Sequence, residues 1–390
     1  MSQYLFIHGK NPELSKAELR AMFPTAALEQ REQFSLMKSE QPIGQDTQNK
    51  LGGTVKICEI TDQNPVDLIE QSAQTDKIIF GVSQYGGHER LPEILVAIKK
   101  GLKQEYGRNA RFINKDFKNI SSGQLNQTGL LEKGVDLVRV WFEGKELWGR
   151  TVAFQDIDAY SKRDYDKPRR DMKVGMLPPK LAQIMINLAQ PGPNTMIYDP
   201  FCGLGTIPME GALRGNPVAG SDLKGAMVGA TEKNMEWLTR EFGVGRLENG
   251  VEKENSKFQT PNSVLFQHDA TQPFSKKNVA DDLVIVCEGY LGPLQNRPPS
   301  QVQQKEIFDL LDGINSKFFA GISQILRSGQ RLVCCFPFFR SKDDRAYYPE
   351  ELIRKYAEEN AFELETPPRS LLYERESQVV GREIVVFKKT

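Results

Sequence analysis

Met196-Ile197-Tyr198-Asp199-Pro200-Phe201-Cys202-Gly203-Leu204-Gly205-Thr206 holds the pattern on which the fold turns. A short strand runs into an acid, a proline follows, and two glycines one residue apart precede a helix expected over Ile207 to Arg214. Glycines let the main chain approach a ligand closely, and the first turn of a helix leaves N–H groups unpaired. No Lys-Ser or Lys-Thr follows the second glycine, so phosphate-loop chemistry is excluded. The GxGxxG spacing is incomplete, which argues against a plain dinucleotide site and suits an anionic or amino-acid-bearing cofactor. Taken alone, the same turn also serves as a purely structural strand-to-helix connection.

Two further acids strengthen the ligand reading. Val218-Ala219-Gly220-Ser221-Asp222 is a short strand ending in a carboxylate about twenty residues past the glycines, where an acid can accept ribose hydroxyls. Val264-Leu265-Phe266-Gln267-His268-Asp269-Ala270 is a third such strand, placed to meet an adenine amino group. Asp199, Asp222 and Asp269 would then line the carboxyl edge of one sheet. From Leu177 onward, alternating helix and strand signals predict a doubly wound α/β domain.

The first 155 residues have another character. Tyr4-Leu5-Phe6-Ile7 predicts a strand and Ser15 to Met22 a helix, residues 40–53 a polar loop, and Thr54 to Ile60 an alternating strand. Ile78 to Ser83 predicts a strand, and Leu91 to Tyr106 an amphipathic helix with Ile94, Leu95, Ile98 and Leu102 on one face. Strands over 110–113, 135–142 and 147–153 follow, the last two joined as a hairpin through Glu143-Gly144-Lys145-Glu146. Residues 155–173 are polar and contain a proline. The expected organisation is 1–70, 71–155, a linker over 156–172, and an α/β domain over 173–390.

Charge and cysteine usage narrow the classes. Fifty-one basic residues balance 51 acidic ones, so any nucleic-acid surface must be local. Two local clusters exist: Lys99, Lys100, Lys103, Arg108, Arg111, Lys115 and Lys118, and Lys162, Arg163, Lys167, Arg169, Arg170, Lys173 and Lys180. Phe112, Phe117, Tyr160 and Tyr165 are interleaved with them, as phosphate and base contacts require; solvated helix faces give the same pattern. The five cysteines form no CxxC, and His8, His88 and His268 lie far apart, so neither a disulfide scaffold nor a metal site is expected. No apolar run approaches 18 residues and MSQYLFIHGK is too short for a signal peptide, so a cytoplasmic protein is expected, without membrane partners.

Asp199 to Thr206 resembles the DPFCGSGT motif of class I S-adenosylmethionine-dependent RNA methylases. Arg169 to Ala182 resembles the segment before the sheet in the tRNA guanosine N2-methyltransferases of eukaryotes and archaea, Ser221 to Asn234 their next motif, and Gln378 to Phe387 their final strand. The resemblance covers residues 165–390. Residues 1–155 are similar only in arrangement, to a ferredoxin-like region followed by a THUMP RNA-binding domain. It implies a Rossmann-like class I methyltransferase domain, S-adenosylmethionine as cofactor and RNA, most naturally tRNA, as partner. It implies cofactor contacts from Asp199, Phe201, Gly203, Gly205, Thr206, Asp222, Leu223, Asp269 and Ala270. An activating subunit stays open.

These enzymes usually end their fourth strand in Asp/Asn-Pro-Pro-Tyr, whereas Asp282-Leu283-Val284-Ile285-Val286 here runs into Cys287-Glu288-Gly289-Tyr290. A guanine amine is a poor nucleophile, because its lone pair is delocalised into the ring. A carboxylate or carbonyl accepting its N–H bonds would aim it and ease proton loss. Glu288 is the candidate carboxylate, Cys287 or Gly289 a candidate carbonyl, and Tyr290 a stacking face. Cys287 is equally placed to be a small buried hydrophobe. The alternatives are a DNA amino-methyltransferase and an RNA-binding protein with a silent cofactor site. A nucleotide-dependent oxidoreductase is disfavoured by the DPFCGLGT form.

Overall fold

The computed structural model describes residues 1–72, 77–87, 90–170, 176–244, 263–340, 344–375 and 378–390. His88 and the segment 171–175, with Lys173, lie outside them. The chain divides into two compact units, one of residues 1–16 and 23–160, the other of 17–22 and 161–390.

The first unit is built on one eight-stranded sheet: β1 (Ser2–His8), β2 (Leu28–Gln30), β3 (Phe34–Ser39), β4 (Thr54–Thr61), β5 (Lys77–Tyr85), β6 (Asn109–Phe112), β7 (Val135–Phe142) and β8 (Lys145–Phe154). Their order is β2-β3-β1-β4-β8-β7-β5-β6. The boundary expected at 70/71 therefore falls inside a continuous sheet, because β4 pairs antiparallel with β8 and joins the two halves. The helix Leu91–Tyr106 forms as expected, burying Ile94, Leu95, Ile98 and Leu102 and ending at Gly107 with φ +66°. The β7–β8 hairpin turns at Glu143 (φ +50°) and Gly144 (φ +76°), the two positive-φ positions of a type I′ turn.

A buried polar cluster ties the halves of this sheet together. Lys56 on β4 donates to Asp136 on β7 at 2.7 Å, with both side chains at most 1% exposed. Lys56 also reaches Ser83 Oγ on β5 at 3.3 Å, and Thr151 on β8 donates to the same Asp136 oxygen at 2.7 Å.

The second unit carries nine strands: β9 (Met196–Asp199), β10 (Val218–Asp222), β11 (Ser263–Gln267), β12 (Leu283–Cys287), β13 (Arg331–Arg340), β14 (Arg345–Tyr347), β15 (Phe362–Leu364), β16 (Leu372–Tyr373) and β17 (Val380–Lys389). The main order is β11-β10-β9-β12-β13-β17-β15, with β14 beside β13 and β16 beside β17. β11 through β13 are mutually parallel, and β17 runs antiparallel to β13. The chain leaves β9 for β10 and β11 on one side, then returns to β12 on the other. That reversal makes a topological switch point between β9 and β12, where open sheets bind ligands at their carboxyl ends. The two strands at the switch point, β9 and β12, are fully buried, as parallel strands covered on both faces must be.

Of the linker expected over 156–172, the described residues 156–170 are structured and packed. Ile157–Tyr165 is helical, and Arg163 makes a buried two-bond contact with Glu210, at 2.7 and 3.4 Å. Lys167 is buried with its Nζ 3.4 Å from Thr206 Oγ1. Asn234 clasps the main chain of Arg169 from both sides (2.8 and 3.0 Å) and takes hold of Leu204 O at 2.9 Å. Polar composition there reflects inward ion pairing. In the second basic cluster Arg163 and Lys167 are buried and Lys162 pairs with Glu241 at 2.6 Å, while Arg169 and Arg170 are exposed, Arg170 over Tyr165. Among the described residues no helix is long and apolar enough to cross a membrane.

Candidate active site

β9 delivers Asp199 to the switch point and the chain then folds back over its own strand end. Phe201 N–H donates to Asp199 Oδ1 (2.9 Å), and Cys202 N–H to Ser221 O on β10 (2.9 Å). Gly203 N–H donates to Asp222 Oδ2 (3.1 Å), while Lys224 N–H holds Asp222 Oδ1 (2.9 Å). Thr231 donates to Gly203 O at 2.8 Å and closes the turn from beneath. The helix Thr206–Leu213 then starts at Gly205.

The two glycines do different jobs. Gly205 has φ +82°, and a Cβ there would lie 2.6 Å from Thr231 Cγ2. Gly203 has φ +52°, but its nearest obstacle would be Phe201 O at 3.9 Å, so that side is open. Gly205→Ala should therefore cost about 1–3 kcal/mol in urea unfolding. Gly203→Ala should cost about 1 kcal/mol, the left-handed strain alone, yet weaken cofactor binding about tenfold or more by placing a methyl group in the ligand's path. Equal stability losses with unchanged binding would show that Gly203 does not face the ligand.

Asp199, Phe201, Cys202, Gly203, Leu204, Thr206 and Ile207 line a cleft open to solvent, with Met176, Leu177, Met227 and Glu288 completing it. Phe201 is braced edge-on by Phe318, ring centroids 5.1 Å apart. Asp199 is 3% exposed, and burial pushes its carboxyl well above the usual carboxylate range. The charges acting on it, Glu288 and Asp222, are both negative and push the same way, while the Phe201 N–H pulls it down. A buried carboxylate set among anions is complementary to a cationic ligand group.

The other expected cofactor residues sit along the same edge, outside this cleft. Asp222 ends β10, followed by Leu223, which is 59% exposed and accepts Gln267 Nε2 at its carbonyl. Asp269 comes two residues after β11 rather than at its end. Its Oδ1 accepts both Thr271 N–H and Oγ1–H, which hold its carboxyl below the usual range. The Ala270 side chain faces the hydrophobic core, so only its main chain is available to a ligand.

Glu288 follows β12 directly, and Gly289 (φ +71°) turns the chain after it. Its Oε1 accepts Arg382 Nε at 2.5 Å. Tyr290 is 41% exposed, two residues on. Cys287 does not expose its thiol: it is fully buried in the core, and desolvation pushes the thiol well up, so a reactive side chain is ruled out there. Cys334 and Cys335 are likewise buried. Among the described residues no His, Cys, Asp and Glu group is placed to hold a metal.

Sequence reasoning passed over Met176, Leu177, Leu204, Ile207 and Met227, whose apolar side chains carry no chemical signature. It also passed over Arg382. The signal was present, since a lone arginine in the strand Val380–Lys389 must find an anion when buried.

Residues 167–265 match the family model of the UPF0020 methyltransferase domain, described as RMKL-like. That match lies within the second unit. Over 62 residues the chain is 42% identical to the tRNA (guanine(10)-N2)-dimethyltransferase of Methanothermobacter thermautotrophicus, a match covering 16% of this chain and 18% of that protein. Over 82 residues it is 35% identical to the tRNA (guanine(10)-N(2))-methyltransferase of Saccharomyces cerevisiae, covering 21% and 18%. These matches span about a fifth of the relatives' length. Among solved structures, the whole chain resembles TrmN from Thermus thermophilus, with both chains fully covered, a TM-score of 0.50 and 16% identity. At that identity the likeness concerns the fold. Within the matched region the order around the glycine turn has a chemical meaning: an acid, an open glycine and a cleft at one sheet edge suit a ligand with a cationic amino-acid end, such as S-adenosylmethionine.

Proposed function

We propose that this chain methylates the exocyclic amine of guanosine in RNA, with tRNA as the substrate and S-adenosylmethionine as the donor. The observation that carries the reading is one cleft lined by two carboxylates, Asp199 from β9 and Glu288 after β12, on either side of the switch point. The donor supplies an electrophilic methyl group on sulfur. Asp199 holds its ammonium, Phe201, Gly203 and Thr206 shape the walls, and Gly205 sets the turn. Asp222 takes the ribose hydroxyls, Leu223 lies against the adenine ring, and Asp269 with the Ala270 main chain meets the adenine edge.

Glu288 accepts an N–H of the target amine and aims its lone pair at the methyl carbon. The C–S bonding pair stays on sulfur as the N–C bond forms, and the nitrogen releases a proton to the carboxylate or to water. An ionised Glu288 is acceptor-only, which favours guanine, whose amine neighbours a ring N–H donor, over adenine, whose amine neighbours a ring acceptor. Tyr290 offers a face to the base, which must leave its stack to arrive there. Cys287 contributes at most its carbonyl. The cationic surface of the first unit supports the RNA reading: Lys99, Lys100, Lys103, Arg111, Lys115 and Lys118 are exposed, and Phe117 is 50% exposed beside Phe112. A cytoplasmic setting accompanies it, where such substrates meet reduced thiols.

The test is transfer of labelled methyl to unmodified tRNA, bulk RNA and duplex DNA. Label in tRNA is expected, and label in DNA alone would overturn the substrate. Cofactor binding without any transfer would call for an activating subunit or mark a silent site.

A further inference from the structure

The ion pair between Glu288 and Arg382 joins two strand ends that are not neighbours, since β13 lies between β12 and β17. Arg382 sits opposite Pro337 on β13 and Tyr373 on β16. Its side chain is 4% exposed, against 21% for Glu288. Nε donates to Glu288 Oε1 at 2.5 Å and Nη1 to Gln378 Oε1 at 3.4 Å. Arg382 is thus a cation fixed from the far strand, with its anion placed in the cleft. A guanidinium keeps its charge at any assay pH, and a charge-assisted bond of this length fixes the carboxylate's orientation.

We propose that Arg382 is a positioning residue for methyl transfer, holding Glu288 turned so that one carboxylate oxygen stays committed to the arginine while the carboxylate remains an acceptor for the target amine. The inference rests on the reading above that Glu288 meets the target base. The charged and titratable groups around Glu288 are Asp199 from β9, Cys335 from β13 and Arg382 from β17, with Tyr373 from β16 beside the arginine. Asp199 lines the same cleft, so without Arg382 the Glu288 carboxylate would have no fixed partner beside a second acid and would turn away from the direction in which it meets the amine.

The experiment is single-turnover transfer to tRNA at saturating cofactor, which takes cofactor binding out of the measurement. Wild type, Arg382→Gln, Arg382→Lys, Glu288→Gln and the Arg382→Gln/Glu288→Gln double variant are compared, with melting temperature and cofactor affinity measured alongside. Arg382→Gln should slow transfer about tenfold or more with cofactor affinity retained, and Arg382→Lys should lie between. Glu288→Gln should be at least as slow, and adding Arg382→Gln to it should cost little more, because the arginine acts through the carboxylate. If Arg382→Gln does not fold, Arg382→Lys alone and combined with Glu288→Gln carries the same test. Wild-type rates in the arginine variants, or additive losses in the double variant, overturn the inference. Absence of transfer by wild type overturns the functional reading as well, which separates the two failures.

Discussion

Asp199→Asn is expected to raise the melting temperature of the free protein while lowering methyl transfer about 100-fold or more, the size of effect seen when one preorganised electrostatic group is removed from a site. Asp199 is buried, its carboxyl is pushed up by desolvation, and the charges that act on it are negative. A carboxyl whose folded pKa exceeds its unfolded value costs stability. The cost is absent below the ordinary carboxylate range and grows as pH rises toward the folded value. Asparagine keeps the acceptor for Phe201 N–H and removes that cost. It also removes the counter-charge for a cationic ligand. Cofactor binding by wild type should strengthen as pH rises through the same window and release protons, measurable by calorimetry in buffers of different ionisation enthalpy. Asp199→Asn should show neither effect. A variant that melts lower yet binds the cofactor with wild-type affinity would remove Asp199 from the site.

Asp136→Ala is expected to cost about 3–5 kcal/mol, because it strands the Lys56 ammonium inside the sheet of the first unit. Lys56 and Asp136 come from strands 80 residues apart, on the two halves of that sheet, and Thr151 and Ser83 complete the cluster. Lys56→Met with Asp136→Leu should regain most of the loss, since burying neither charge avoids the desolvation cost. Chemical unfolding of the three proteins measures this. A loss below about 1 kcal/mol in Asp136→Ala would mean that water reaches the ammonium.

What could be read locally was read well. The helix Leu91–Tyr106, the Glu143-Gly144 turn and the glycine turn after Asp199 each follow from spacing or from a backbone conformation that few residues tolerate. The expected linker failed because polar composition does not distinguish an exposed tether from a helix whose arginine is paired inside, as Arg163 is with Glu210. The 70/71 boundary failed because strand pairing between β4 and β8 is not encoded in either strand alone. Arg382 was passed over for the same reason, its partner lying 94 residues away. Cys287, which the sequence offered as a carbonyl or as a small buried hydrophobe, lies buried in the core at the end of β12.

The most direct measurement of the central claim, that this cleft directs methyl transfer to a guanine amine in RNA, is the identity of the modified nucleoside. Unmodified tRNA would be incubated with the protein and isotopically labelled S-adenosylmethionine, digested to nucleosides and analysed by mass spectrometry. Label in N2-methylated guanosine, lost in Asp199→Asn and in Glu288→Gln, is the expected result. Label on an adenosine amine or on a ring carbon, or label in N2-methylguanosine that persists in both variants, would contradict it.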